Sequence, residues 1–335
     1  MASKGRRMAE EPKERKVQEN YNPEQYKYGA YERNLEREEE IKMKNQKKKH
    51  KRLRIFLIII LIIVIIISGL VLAGYGFVNG KINKVQKENI DVEEIGINEE
   101  TSKQLEGYRN IALLGIDSRA DDYGLGNRSD CIIIANINNK TKEVKLISVY
   151  RDTYVQISEN GSNKLDKITH AYAYGGPELA IQTLNTNLDL NIKEFVTVNF
   201  DSVAEAVDQL GGITMTLTSE EVDYANDYIR ETARVTGKSA TYISSSGKQT
   251  LNGVQAVAYS RIRYTSGGDY KRTERMRDVL TAMLTKLKTK SLAEINKFAD
   301  NILPKVYTNI SAGDILALTP SLMSYKITES IGWPY

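Results

Sequence analysis

The chain changes texture three times. Residues 1–54 are charged and almost free of aliphatic side chains, and Tyr21, Tyr26, Tyr28 and Tyr31 follow no helical stripe. Such a segment cannot bury enough apolar surface to order itself and is expected to be a disordered basic tail. Ile55–Leu72 is then an apolar run broken only by Ser68 and Gly69, with no charge before Lys81. At about 1.5 Å rise per residue, residues 55–78 cross the roughly 30 Å hydrocarbon layer as one transmembrane helix. The dense basic stretch Lys47–Arg54 in front of it keeps the N-terminus cytoplasmic and puts the remainder outside the cell. A cleaved signal peptide fits poorly, because a tail of 54 residues is too long for its basic leader region. Val78, Ile82, Val85 and Val92 give a weak helical stripe followed by acidic residues, so 79–106 is expected to be a stalk.

From Asn110 short β-branched runs begin. Ile111–Gly115, Cys131–Ile137 and Val144–Val149 predict buried strands, and Asn138-Asn139-Lys140-Thr141 predicts a hairpin turn between the last two. Ile168–Leu188 has helical periodicity interrupted at Gly175-Gly176-Pro177. Phe195–Asn199 and Ile213–Leu217 are further strands, flanking a helix over Ser202–Leu210 that Gly211-Gly212 ends. Gly253–Ser260 is apolar on one face, Tyr270–Leu287 is a long amphipathic helix, and Ser291–Leu303 and Ala312–Tyr325 read as helices. Strands mixed with helices, and a hairpin among them, predict an α/β fold with a mixed central sheet, an α/β/α three-layer sandwich over 107–335. Gly332-Trp333-Pro334-Tyr335 close the chain without a polar tail, as expected of a domain cut short at its C-terminal end.

Charge sharpens the division. The formal net charge is +4, but residues 1–54 hold 17 Lys+Arg against 10 Asp+Glu, so the remainder is net negative. The basic balance belongs to the tail, and a nucleic-acid partner for the main domain is not expected. The single cysteine, Cys131, sits in an apolar run and reads as a small buried hydrophobe. With two histidines, His50 and His170, no His-rich metal cluster is available. A Ser-His-Asp triad would need His170, and no Gly-x-Ser-x-Gly elbow accompanies it, so His170 reads as a structural or rim residue.

The candidate chemistry lies in closely spaced charged residues: Asp117 and Arg119, Arg128 and Asp130, Arg151 and Asp152, Arg261 and Arg263, and Asp269 through Arg275. In extended backbone residues i and i+2 point the same way, so each such pair can aim two side chains into one cleft. Asp130 and Arg151 fall at strand ends, where α/β sheets place ligands. Asp269, Arg272 and Met276 share one face at the start of a helix, with Arg275 offset but adjacent. Arginines clamp phosphate oxygens, and one or two carboxylates hold Mg²⁺ when phosphate completes its shell. The set suggests a metal-assisted site for a pyrophosphate ester beside a bilayer.

These residues carry a resemblance. Leu114–Arg119, Arg128-Ser129-Asp130, Ile147–Val155, Lys164 ahead of Ala171–Gly176, Val207–Gly212, Leu251-Asn252-Gly253, and Arg261-Ile262-Arg263 ahead of Asp269–Arg275 fall in the order of the LytR–CpsA–Psr family. The match spans about residues 109–290. It implies a membrane-anchored phosphotransferase that moves a glycopolymer, teichoic acid or capsule, from an undecaprenyl-pyrophosphate carrier to peptidoglycan. Mg²⁺ or Mn²⁺ would sit on Asp117 and Asp130. Arg128 and Arg151 would act catalytically beside Asp152. Arg119, Lys164, Arg261, Arg263, Asp269, Arg272 and Arg275 would bind the pyrophosphate or line its site. Asp117 or Asp152 is a candidate base. Met276 stands where the family commonly has glutamine, and Tyr150 where it has proline. A polyprenyl-phosphate-binding regulator and a polyprenyl-pyrophosphate hydrolase are the alternatives, since water and a sugar hydroxyl attack the same phosphorus. The lipid tail needs an apolar slot, for which Ile168–Leu188, Phe195–Asn199 and Val279–Leu287 are candidates.

Overall fold

A computed structural model describes residues 86–87, 90–91, 93–118, 122–159, 161–311, 313–315 and 319–334. The expected tail, the membrane span over 55–78 and Arg119 lie outside the described residues. Among those described, no helix is long and apolar enough to cross a membrane.

The elements in chain order begin with β1 (Gln86–Lys87), α1 (Glu99–Gln104), β2 (Tyr108–Ile116), β3 (Ser129–Asn138), β4 (Glu143–Val149), β5 (Tyr154–Glu159), β6 (Ser162–Lys167) and α2 (Thr169–Leu188). They continue with β7 (Glu194–Val198), α3 (Phe200–Gln209), β8 (Ile213–Leu217), α4 (Ser219–Thr236), β9 (Gly247–Leu251) and α5 (Gly253–Ser260). Then come α6 (Gly268–Leu287), α7 (Leu292–Ile302), β10 (Tyr307–Thr308) and β11 (Lys326–Trp333).

Seven strands form a mixed sheet in the order β1-β10-β7-β2-β3-β4-β11. The three apolar runs at its centre are an antiparallel meander, β2–β3–β4, turned at Asn138, whose side chain accepts from the backbone N–H groups of Lys140 and Thr141. β7 adds parallel to β2. That pairing requires a crossover, and α2 supplies it. Alternation along the strands divides the core: Ala112, Leu114, Ile116, Ile132 and Ile134 pack with Ala171, Tyr172, Ile181 and Leu184 of α2, while Ile111, Ile133 and Leu146 pack with Met276 and Leu280 of α6. The expected break in α2 is present. Gly175 and Gly176 leave helical geometry, Gly176 at φ 64°, a conformation open to glycine, and Pro177 restarts the helix.

Two expectations change, and one strand falls outside the main sheet. Within the stretch taken as a stalk, the described residues contribute to the domain: β1 pairs with β10, and Ile95 is fully buried in the α2-side core. Ile213–Leu217 is a strand, as expected, and it pairs antiparallel with β9 in a separate two-stranded sheet packed with α4, α5 and α6, away from the main sheet. The helix expected over Ala312–Tyr325 is reduced, among the described residues, to one turn at 313–315 and a 3₁₀ stretch, Thr319–Ser324.

Candidate active site

The register of β2 against β3 shifts at the end of the pair. Gly115 lies opposite Cys131 and Ile116 opposite Ser129, so Asp130 is an extra residue in a bulge. A bulge re-aims a side chain. Here it brings Asp130 to three arginines from three segments. Arg151, just past β4, donates from Nη1 to Oδ1 at 2.5 Å. Arg263, in the loop after α5, has Nη2 3.7 Å from Oδ2. Arg272, in the second turn of α6, donates to the Asp130 carbonyl at 3.4 Å and pairs with Asp269 at 2.9 Å. Arg272 is only 1% exposed, and its Nε has no acceptor. Burial holds its proton affinity below that of an ordinary arginine, against the pull of Asp269. With Asp152 and Lys167, which adjoin Arg151, four cationic side chains meet three carboxylates, and the one positive charge in excess suits an anion.

Neighbouring backbone fixes these strand ends. Thr169, opening α2, donates from its hydroxyl to the Ser129 carbonyl at 3.0 Å and from its N–H to the Arg151 carbonyl at 3.1 Å. Tyr123 pins the described stretch 122–127 ahead of Arg128. Its hydroxyl donates to the Lys305 carbonyl at 2.7 Å, its carbonyl accepts from Tyr172, and its ring stacks on Tyr307. Asp117, just past β2, and Arg128, just ahead of β3, are both exposed, with no side-chain partner among the described residues. Asp152 lies beside Arg151, with Lys167 Nζ at 2.7 Å. The Lys167 hydrogen bond holds its carboxyl below the usual carboxylate range.

Other candidates stand apart from this cluster. Arg275 is buried and turned away, paired with Glu221 at 3.0 Å and donating to the Ile262 carbonyl and to Thr265 Oγ1. It braces the loop that carries Arg263. Lys164 is exposed on β6, next to Glu159, with its ammonium 3.4 Å from the centre of the Tyr174 ring. Arg261 pairs with Glu231 at 3.2 Å and lies over the rings of Phe200 and Tyr228. It diverges from Arg263 because it caps α5 in helical geometry, φ −93° and ψ −8°, where alternation does not apply. Lys167, Glu231 and the aromatic partners of Arg261 were not read from the sequence. The capping box Thr218–Glu221 that starts α4 would have located the helix bearing Tyr228 and Glu231.

Beside the arginines lies an apolar cavity of about 250 Å³ between β2, β3 and β7 on one side and α3, α5, α6 and α7 on the other. Leu113, Ile133, Val198, Val257, Leu280 and Phe298 are among its lining residues, and Asp130 is another. Of the proposed lipid-slot segments, Val196–Asn199 and Val279–Met283 contribute to the wall, whereas α2 packs on the opposite face of the sheet. Cys131 lines it too, its thiol pushed up to about 12 by burial. An anionic head group over an apolar body is what such a site can hold.

Fold and site together define a mixed α/β domain with an arginine-rich anion cluster at the mouth of an apolar cavity. The chain belongs to the LytR_cpsA_psr family, whose model matches residues 75–331. It is 35% identical over 210 residues to the polyisoprenyl-teichoic acid–peptidoglycan teichoic acid transferase TagU of Bacillus licheniformis, covering 62% of this chain and 61% of that protein. It is 33% identical over 226 residues to TagT of Bacillus subtilis, covering 66% of each. Among solved structures it is similar to TagT bound to LIIa-WTA, with a TM-score of 0.54 and 27% identity over 73% of this chain and 80% of that one. The chain spans about three-fifths to two-thirds of the length of these curated relatives.

Proposed function

We propose that this domain transfers a phosphoglycopolymer from an undecaprenyl-pyrophosphate carrier to peptidoglycan, outside a cell membrane in which residues 55–78 anchor it. One observation carries the reading: Asp130 belongs both to the arginine cluster and to the wall of the apolar cavity. An amphiphile with phosphate at one end and hydrocarbon at the other satisfies both. The teichoic acid transferases similar to this chain, and the LIIa-WTA bound to TagT, support a lipid-linked glycopolymer as that amphiphile.

In this reading Arg151, Arg263 and Arg272 bind pyrophosphate oxygens, and exposed Arg128 closes over them. A peptidoglycan hydroxyl attacks the phosphorus joined to the glycopolymer. A P–O bond forms as the hydroxyl gives up its proton to a base, for which exposed Asp117 is the candidate, the P–O bond to the polyprenyl phosphate breaks, and the leaving phosphate takes the electron pair. The arginines offset that charge, an effect worth about 10²- to 10³-fold in rate for one well-placed donor. Of the two candidate bases, Asp152 is ill suited, because Lys167 lowers its affinity for a proton.

Among the described residues no group of three or more His, Cys, Asp or Glu stands together. Asp117 and Asp130 therefore fit Mg²⁺ or Mn²⁺ only where phosphate oxygens complete the shell, and the arginines engaging Asp130 would then serve the phosphate. Bound there, the metal would neutralise charge on the pyrophosphate.

The test is glycopolymer transfer by the full chain in detergent from a polyprenyl-pyrophosphate donor to peptidoglycan, with and without Mg²⁺, for wild type and Arg128→Ala. Mg²⁺-dependent coupling that falls about 10²-fold in the variant is expected. Phosphate release without coupling would mark a hydrolase. Binding without turnover would mark a carrier-binding regulator.

A further inference from the structure

The aromatic residues around Arg261 run outward from the cavity. Phe200 lines the cavity wall, and Arg261 lies 4.9 Å from its ring centre and 5.4 Å from that of Tyr228. Tyr228 is within electrostatic reach of Arg263 and of Tyr264. Tyr264 follows Arg263 directly, is 72% exposed, and lies 6.3 Å from the Tyr224 ring at a tilt of 39°. Tyr224 and Tyr228 are one turn apart on α4, and Glu231, paired with Arg261, is exposed beside them. The patch is thus continuous with the arginines at one end and open to solvent at the other.

A ring as exposed as Tyr264 adds little to the core, and neither the arginine cluster nor the cavity uses it. Tyrosines combine an apolar face with a polar tip. The C–H faces of a pyranose ring pack on such aromatic faces, and a neighbouring carboxylate accepts from its hydroxyls. We infer that Tyr224, Tyr228 and Tyr264, with Glu231, form a sugar platform that takes the pyranose joined directly to the carrier's pyrophosphate. The assignment rests on the cavity and arginines holding a lipid pyrophosphate. It then follows from position: a sugar attached to a phosphate held at Arg263 leaves the cluster past the next residue, Tyr264.

The experiment compares binding of undecaprenyl pyrophosphate, undecaprenyl-pyrophosphoryl-N-acetylglucosamine and a soluble peptidoglycan fragment to the full chain in detergent, for wild type, Tyr264→Ala and Tyr264→Phe. Tyr264→Ala should weaken the sugar-bearing lipid about 5- to 10-fold and leave the bare lipid unchanged, while Tyr264→Phe, which keeps the ring, behaves as wild type. Equal losses for both lipids, or none for either, would overturn the platform while leaving the lipid site standing. If the only loss is for a soluble peptidoglycan fragment, the donor assignment is overturned in favour of the acceptor. Failure of wild type to bind either lipid would overturn the underlying site as well.

Discussion

Replacing Arg272 by methionine separates what the fold needs from what the site needs. The guanidinium is buried with one carboxylate at hydrogen-bonding distance, Asp269 at 2.9 Å, and an Nε that finds no acceptor. Burial is the largest influence on it and lowers its proton affinity, Asp269 opposes this, and Arg263 lowers it further. A base held below its ordinary value is worse off charged in the folded chain than in the unfolded one. Arg272 keeps its charge at neutrality, so that penalty is present throughout the working pH range. Methionine fills a similar volume without it, and Asp269, a third exposed, keeps its access to water. Removing one partner of a buried ion pair costs about 3–5 kcal/mol when the other charge is left buried, but Asp269 is not left buried here, so the variant should unfold in urea within about 1 kcal/mol of wild type. Transfer should nevertheless fall about 10²-fold or more, the loss expected for one preorganised donor. Urea unfolding and transfer kinetics on one preparation decide the matter. A variant that loses more than about 3 kcal/mol of stability yet keeps wild-type transfer would show Arg272 to be a structural pillar and refute the reasoning.

Other perturbations probe the frame and the cavity. A Cβ on Gly253 would lie 2.0 Å from the Ala204 carbonyl oxygen, so Gly253→Ala must push α5 off α3 and should cost more than about 2 kcal/mol by denaturant unfolding. Ala206 is buried in the cavity wall, and Ala206→Phe should project a ring into the void, costing about 1–3 kcal/mol of stability while abolishing polyprenyl-pyrophosphate binding. Undiminished binding by that variant would exclude the cavity as the tail site. The Tyr174 hydroxyl, then the Lys167 N–H and His170, hold Asp166 at about 2, below the ordinary 3.8. A depressed carboxylate stabilises the fold above its unfolded value and loses that contribution as pH falls through its folded one. Asp166→Asn should therefore melt below wild type at neutral pH, with the difference closing as pH falls from about 4 towards 2; a constant difference in melting temperature would contradict this.

Much of the sheet was legible because its central strands are short β-branched runs buried on both sides, and the Asn138 turn and the Gly175-Gly176-Pro177 break are local chemistry. The hairpin of β5 and β6 was not read: Ser162–Lys167 is almost wholly exposed and polar, so it shows no apolar alternation. β11 is an edge strand whose pairing with β4 depends on a segment far along the chain. In the site, helical spacing placed Asp269, Arg272 and Met276 on one face, and the structure has the first two paired and the third in the cavity wall. The i, i+2 argument failed where backbone is not extended, at the bulge of Asp130 and the helix end at Arg261. Tertiary partners such as Glu221 for Arg275 leave no mark in local sequence.

The alternation along β3 has a consequence for how such a protein can diverge. Ile132 and Ile134 face the solid core under α2, while Cys131 and Ile133 face the cavity. Adjacent residues thus answer to different selective pressures, one to the integrity of the fold and the next to the cargo. In the proposed role, a lineage can retune the bulk or length of the hydrocarbon by drift at alternate residues of β3 and β7, such as Cys131, Ile133, Val196 and Val198, without rebuilding the scaffold that holds the arginines in place.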